Sequence, residues 1–384
     1  MSEARGRPVR LRATSLPAEA RELQAEVRDF LARELGERRG RAADTWSEFS
    51  PEFSRKLGAR GWIGMLWPKR YGGHERSVLE RFVVTEELLA AGAPVGAHWI
   101  ADRQSGPLIL RHGTEEQRTR FLPAIAAGEA YFSIGMSEPD AGSDLAAVRT
   151  SARKVDGGWV VDGLKTWTTH GHQAQHMITL CRTSRSEDRH HGLSQLIVDL
   201  STPGIEINPI RYMTGQHHWN EVVFRGVFVP DAMVVGTIGE GWRQVTSELV
   251  LERSGPERFM SVYGLLPALI DELGPEPGER GAEALGSLVA QLWTLRRMSM
   301  AVAADFEGGG SPGVEAALVK DLGTRFEGLV ADTARRMVPP SRRRAGSRFD
   351  TLLRHVQLAA PGFTLRGGTS EILRTVVARG LTGR

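Results

Sequence analysis

Three stretches of this 384-residue chain hold residues whose types and spacing could do chemistry. The first, MSEPDAGSDLA at 136–146, sets Asp140, Gly142, Ser143 and Asp144 in a tight turn. Such a turn exposes backbone N–H groups and a hydroxyl, which suits an anion or the polar edge of a ring; a plain surface turn has the same composition. The second, KTWTTHG at 165–171, alternates Trp167 and Thr169 on one face of an expected strand, where a flat ligand could stack on the indole. Core packing accounts for such a tryptophan more often than a ligand does.

The third is Glu252, three residues after Leu249 and seven after Val245, and so on the apolar stripe of an expected helix. An unpaired carboxylate among apolar side chains is costly and drifts toward its neutral form, so a residue placed there is paired or functional. Pro256 cannot donate to the carbonyl of Glu252, so the helix is expected to kink or open beside it. The competing reading pairs Glu252 with Arg253 or Arg258 as an ordinary helix-surface acid. Glu257, its nearest rival, sits off the stripe. His170, His172, His176, His190, His191, His217 and His218 invite a metal reading, but no carboxylate or thiolate completes a ligand set, and no metal is expected.

These residues must be positioned by elements that the pattern separates into three. Leu23, Val27, Phe30 and Leu31, and again Phe82, Val83, Leu88 and Leu89, recur at helical spacing. Between them GWIGMLWPKRYGG (61–73) reads as a loop that packs two tryptophans. From about residue 131 the pattern turns to short β-branched and aromatic runs: WVVDG (159–163), HMITLCR (176–182), QLIVDL (195–200) and EVVFRGVFV (221–229). After Gly241 the long period returns, interrupted by two loops, GPEPGERG (274–281) and VPPSRRRAGSR (338–348). The expected fold class is α+β and mainly α. An N-terminal α-helical domain spans 1–130, a middle β-barrel-like domain 131–236, and a C-terminal four-helix bundle 237–384.

Composition narrows the setting. Hydrophobic residues make up 41% and charged residues 25%, an ordinary globular balance long enough for more than one core. Lys and Arg number 49 against 46 Asp and Glu, so no strongly basic face marks a nucleic-acid partner. The single cysteine, Cys181, rules out an intrachain disulfide framework. The first residues are charged, and no run approaches the roughly 20 apolar residues of a spanning helix, so a soluble cytoplasmic protein is expected, with no membrane partner.

YFSIGMSEPDAGSDLAAVRTSA followed by WVVDGLKTWTTHG resembles the flavin signature of acyl-CoA dehydrogenases, and GGTSEILR near the C-terminus resembles that family's closing motif. The two lie in the family's order, more than 200 residues apart. The resemblance implies FAD as cofactor and an acyl-CoA thioester as substrate, dehydrogenated between its α and β carbons to the 2-enoyl-CoA. It places Met136 and Ser137 against the isoalloxazine ring, and Gly142 and Ser143 where the flavin phosphate and the pantetheine arm pass. Trp167 and Thr169 would cover the ring's other side, with His170 near the flavin edge, and Thr369 and Glu371 match positions near the adenosine part of FAD.

The mechanism it implies needs a carboxylate to take the α proton while the β hydride leaves for flavin N5. Many members carry that Glu directly before the Gly-Thr of the closing motif, where this chain has Gly367 in front of Gly368 and Thr369. In the long-chain and isovaleryl branches the base comes from the helix after the β domain, and Glu252 falls in that register, followed by Arg253, taken as a substrate-side residue. Gly367 would keep a backbone N–H for the thioester carbonyl and free space for a bulky acyl group.

Family segments through which one subunit holds its neighbour's FAD, Arg-x-x-Phe-Gly and Gln-x-x-Gly-Gly-x-Gly, are altered here to GPEPGERGAEAL and HVQLAAPGFTLRGG. Three readings therefore stand. They are a self-sufficient dehydrogenase, a non-catalytic or half-site subunit of a heteromeric one as in bacterial steroid side-chain degradation, and a flavin monooxygenase of the same fold. The expected assembly is a homotetramer or a heterotetramer with a related subunit, and electron-transfer flavoprotein is the expected electron acceptor.

Overall fold

The computed structural model describes residues 9–40 and 47–383, without the side chains of 247–252. Its helices are α1 (Ala18–Leu35), α2 (Pro51–Ala59), α3 (Val78–Ala91), α4 (Gly96–Ile100), α5 (Gly106–His112) and α6 (Glu115–Ala126), then α7 (Gly241–Glu252), α8 (Leu265–Leu273), α9 (Gly278–Glu307), α10 (Gly313–Met337), α11 (Arg348–Phe363) and α12 (Ser370–Thr382). Between α6 and α7 run β1 (Phe132–Gly135), β2 (Ser151–Val155), β3 (Gly158–Thr169), β4 (His176–Arg182), β5 (Leu193–Asp199), β6 (Ile205–Arg211), β7 (His217–Pro230) and β8 (Val234–Val235). This is the expected α, β, α order and the expected mainly α class. No helix among the described residues is long and apolar enough to cross a membrane.

The chain forms two compact units. One comprises Ser47–Arg76 and Pro94–Leu249, and is built on a sheet of order β6-β7-β3-β2-β4-β5-β8, with β1 pairing parallel to β4. β4 and β5 are buried on consecutive residues, as strands covered on both faces are. Val161, Met177, Leu196, Val198, Val222 and Phe224 meet in the core beside them. The loop at 61–73 does bury its tryptophans, Trp62 and Trp67, and turns at Gly61, Gly64 and Gly72, all at positive φ. Thr114 opens α6 with a reciprocal cap, accepting from the Gln117 N–H while the Gln117 side chain accepts from the Thr114 N–H.

The other unit comprises Met1–Trp46, Ser77–Ala93 and Val250–Arg384 and is helical. Ser77 and Glu80 form the same kind of cap on α3. Buried Glu86 and Glu87 on α3 are matched by cations from neighbouring helices: Arg296 of α9 binds Glu86 in a two-pronged pair at 2.6 and 2.9 Å, and Arg28 of α1 reaches Glu87 at 2.7 Å. Helix α9 begins at Gly278, inside the stretch expected to be loop up to residue 281. Gly278 and Gly281 are poor helix formers, yet Gly281 is buried against Pro277 and packing overrides propensity.

Candidate active site

In the sheet unit, β1 delivers the chain into Met136 and Ser137, and Glu138 and Ala141 then exchange backbone hydrogen bonds at 2.9 and 3.1 Å to close the turn. Glu138 points inward. Its Oε1 accepts from Lys165 Nζ at 2.8 Å and from the Thr150 N–H at 2.9 Å, and its Oε2 accepts from the Arg149 N–H at 2.6 Å. Lys165, wholly buried, donates also to the Met136 carbonyl at 2.9 Å. Burial alone would raise the Glu138 pKa, but the Lys165 ammonium and the donated N–H groups hold it below the usual carboxylate range. Burial draws Lys165 below an ordinary lysine.

The same two segments are joined by backbone: the Thr166 N–H donates to the Ser137 carbonyl at 2.9 Å. Met136 and Ser137 are thus bonded to Lys165 and Thr166, at the start of the segment that carries Trp167 and Thr169. Gly142 and Ser143 lie further out on the exposed arc of the turn, where a Cβ at Gly142 would meet nothing within 4 Å. Asp140 and Asp144 face solvent with Arg149 and Arg189, pairs worth little in water.

β3 does not run straight through KTWTTHG. Its pairing with β7 slips between Lys165 and Thr168, and Trp167, inside that bulge, has φ +60°. A bulky residue rarely occupies that region, so the backbone is strained at this residue. The bulge presents the Trp167 indole outward, 55% exposed, edge-on to Trp219 at 5.4 Å. Thr168 turns inward, Asn220 Nδ2 donates to its carbonyl at 3.0 Å, and Thr169 returns to the half-exposed face.

His170 also holds positive φ (+54°) and is buried against Phe49. Burial, reinforced by the neighbouring His218 and His172, pushes its pKa down to about 3, so the ring is neutral at ordinary pH. His172 stacks on His217 at 4.0 Å. No group of three or more metal-ligating side chains occurs among the described residues.

Helix α7 stops at Glu252, and Pro256 opens a short 3₁₀ turn, Pro256–Arg258, as the proline implied. The Glu252 side chain lies outside the described residues. Arg253, Arg258 and Glu257 are all buried, Glu257 at 1% exposure. Glu257 therefore belongs among the candidate acids: being off the α7 stripe gave no sign of this, because it does not sit on that helix at all. The closing motif turns through Gly367 (φ +65°) and Gly368 (φ +93°) into Thr369, whose hydroxyl caps α12. Glu371 is exposed in the first turn of α12, held below its usual range by the backbone N–H and by Thr369. Residue 366 ties this turn down, since Arg366 pairs with buried Glu327 of α10 at 3.3 Å.

The sheet unit thus sets an exposed aromatic and a locked polar turn on neighbouring segments, with helices before and after the strands. Residues 17–129 match the acyl-CoA dehydrogenase N-terminal domain and residues 133–227 the acyl-CoA dehydrogenase middle domain, together more than half of the chain. IpdE1 of Mycolicibacterium smegmatis, an acyl-CoA dehydrogenase, is 32% identical over 396 residues, covering 95% of this chain and 98% of that one. The chain belongs to the acyl-CoA dehydrogenase family, oxidoreductases that act on CH–CH bonds. Acyl-CoA dehydrogenase FadE34 of Mycobacterium tuberculosis is 35% identical over 87% of this chain, which spans about half (46%) of that protein. Among solved structures, the Tcur3481-Tcur3483 steroid ACAD superposes with a TM-score of 0.86 at 29% identity, covering 97% of this chain and 99% of that one.

Proposed function

We propose that this chain carries out the FAD-dependent α,β-dehydrogenation of an acyl-CoA thioester to the 2-enoyl-CoA, with Glu252 taking the α proton. The observation that carries the reading is the lock between the two signature segments, Lys165 with Glu138 and Thr166 with Ser137, which ends in the strained, outward-facing Trp167. A flavin suits these residues: an exposed indole offers it a face, and the Gly142 arc has room for a phosphate to meet backbone N–H groups. Met136, Ser137, Gly142, Ser143, Trp167 and Thr169 would hold it, and Thr369 and Glu371 keep the role that the family resemblance implies near its adenosine part. When bound, FAD supplies the two-electron acceptor.

The chain's own task is proton and charge control. Glu252 abstracts the α proton, which the thioester carbonyl makes acidic, and the Gly367 N–H steadies the charge that gathers on that carbonyl. Arg253 lies on the substrate side. Reduced enzyme passes its electrons to electron-transfer flavoprotein.

Anaerobic titration with straight, branched and sterol-derived CoA thioesters tests the reading. The wild type should bleach its flavin band with at least one of them, and Glu252→Gln should slow bleaching about 10²- to 10⁴-fold. An unchanged rate in Glu252→Gln, with the loss appearing instead in Glu257→Gln, would move the base to Glu257.

A second reading has its own support in the two-component designation of the solved steroid ACAD neighbour and in the altered cross-subunit segments. It makes this chain one half of a heterotetramer whose partner completes the FAD site. Stoichiometric flavin on the chain purified alone would refute it.

A further inference from the structure

Position 367 has another occupant. A Cβ built on Gly367 would stand 2.8 Å from Arg258 Nη1 and 3.1 Å from its Cζ, so the guanidinium lies where a side chain at 367 would begin. Arg258 is itself held: it is 4% exposed, and Gly323 of α10 passes so near that a Cβ there would stand 2.4 Å from the Arg258 carbonyl oxygen. The residues on either side of Gly367 also have partners or close neighbours. Arg366 is bound to Glu327, whose Oε1 accepts from the Ser261 N–H at 2.9 Å, and a Cβ at Gly368 would lie 3.5 Å from Arg253 Nη2. Gly367 and Gly368 also hold positive φ, which any other residue would adopt only under strain.

We propose that Arg258 is a positioning residue that closes position 367: its guanidinium packs into the space of the missing side chain, fixes the turn that presents the Gly367 N–H, and bars a carboxylate from acting as base there. This rests on the reading that Glu252 is the base, and it adds why the closing-motif position is not available as an alternative. Two effects bar a Glu at 367. Its first carbons meet the guanidinium, and its carboxylate would be captured as an ion pair, which holds the pKa low and weakens it as a base.

The test has two arms. In the first, thermal unfolding compares Gly367→Ala in the wild type and in Arg258→Ala. Arg258 and residue 367 should couple, with Gly367→Ala lowering Tm by about 3 °C or more beyond its effect in the Arg258→Ala background. Equal shifts in both backgrounds overturn the proposal, and this arm needs no activity. In the second, Gly367→Glu is introduced into Glu252→Gln, and anaerobic flavin reduction is followed against pH. Reduction should stay near the Glu252→Gln level, and adding Arg258→Ala should raise it tenfold or more, with a pH profile rising through a carboxylate pKa. Full rescue by Gly367→Glu with Arg258 still in place overturns the proposal. A wild type that no acyl-CoA reduces would refute the dehydrogenase reading instead, leaving the first arm to decide.

Discussion

Glu138→Gln removes the one carboxylate that faces the buried Lys165 ammonium at 2.8 Å. The replacement is nearly isosteric, so the change is electrical. Lys165 keeps the Met136 carbonyl at 2.9 Å and at best a neutral amide oxygen, and the new amide must turn its donor NH₂ either toward the Arg149 N–H or toward the Lys165 and Thr150 donors. Breaking a buried pair from one side costs about 3–5 kcal/mol, a large part of the roughly 5–15 kcal/mol that holds a folded protein together. Lys165→Met leaves Glu138 with its two backbone donors and should cost less. In the double variant no charge is stranded, so it should lose less than the two single losses added. Urea unfolding of the four proteins measures this, and flavin content after gel filtration should fall in parallel, because the pair joins the two signature segments. Losses below about 1 kcal/mol in Glu138→Gln, or strict additivity, would refute the pair's assigned place as the clasp of the site.

Other outcomes follow from the same structure. Trp167→Gly should leave stability within about 1 kcal/mol, since relief of the backbone strain at φ +60° offsets the lost edge contact with Trp219, while flavin retention drops; a large loss of stability would contradict the strain argument. His98 and His170 are buried with pKa values pushed down to about 4 and about 3, so below their unfolded value of 6.5 the unfolded chain binds the extra protons. Stability from each is present above that value and lost as pH falls, by about 2 kcal/mol per histidine at pH 5, which urea midpoints at pH 7.5 and 5 would register and a flat profile would contradict. Cys181 is fully buried and its thiol pushed up to about 12 by burial, so a thiol reagent at pH 8 should react only after denaturant is added.

How far the sequence foretold this depends on what kind of information each feature carries. WVVDG, HMITLCR, QLIVDL and EVVFRGVFV fall in β3, β4, β5 and β7 because long apolar runs report burial directly. β2 and β6 carry no such run, for physical reasons. SARKV buries only Ala152 and keeps Arg153 and Lys154 in solvent, while IEINPIR carries Pro209 and is only half covered. The clasp was hidden inside motifs already singled out, since Lys165 and Glu138 are charged and charge ordinarily signals the surface. A signal did exist, for Lys165 continues the even spacing of the inward-facing Trp159 and Val161.

What local patterns could not convey is conformation imposed from a distance. Alternation along β3 foresees a face for Trp167 but not the slip in pairing with β7 that turns it to φ +60°, nor the bond from Thr166 to Ser137 beside it. Likewise Gly367 reads as an absence until Arg258, more than a hundred residues earlier, is seen to fill its space. Among the described residues only Glu75, Trp167 and His170 hold positive φ without being glycine, and two of these three lie within one signature segment. Strain concentrated there persists only because the surrounding bonds over-determine it. The residues that supply those bonds, Ser137, Lys165 and Asn220, are therefore as much a part of the site as the side chains that would touch a cofactor.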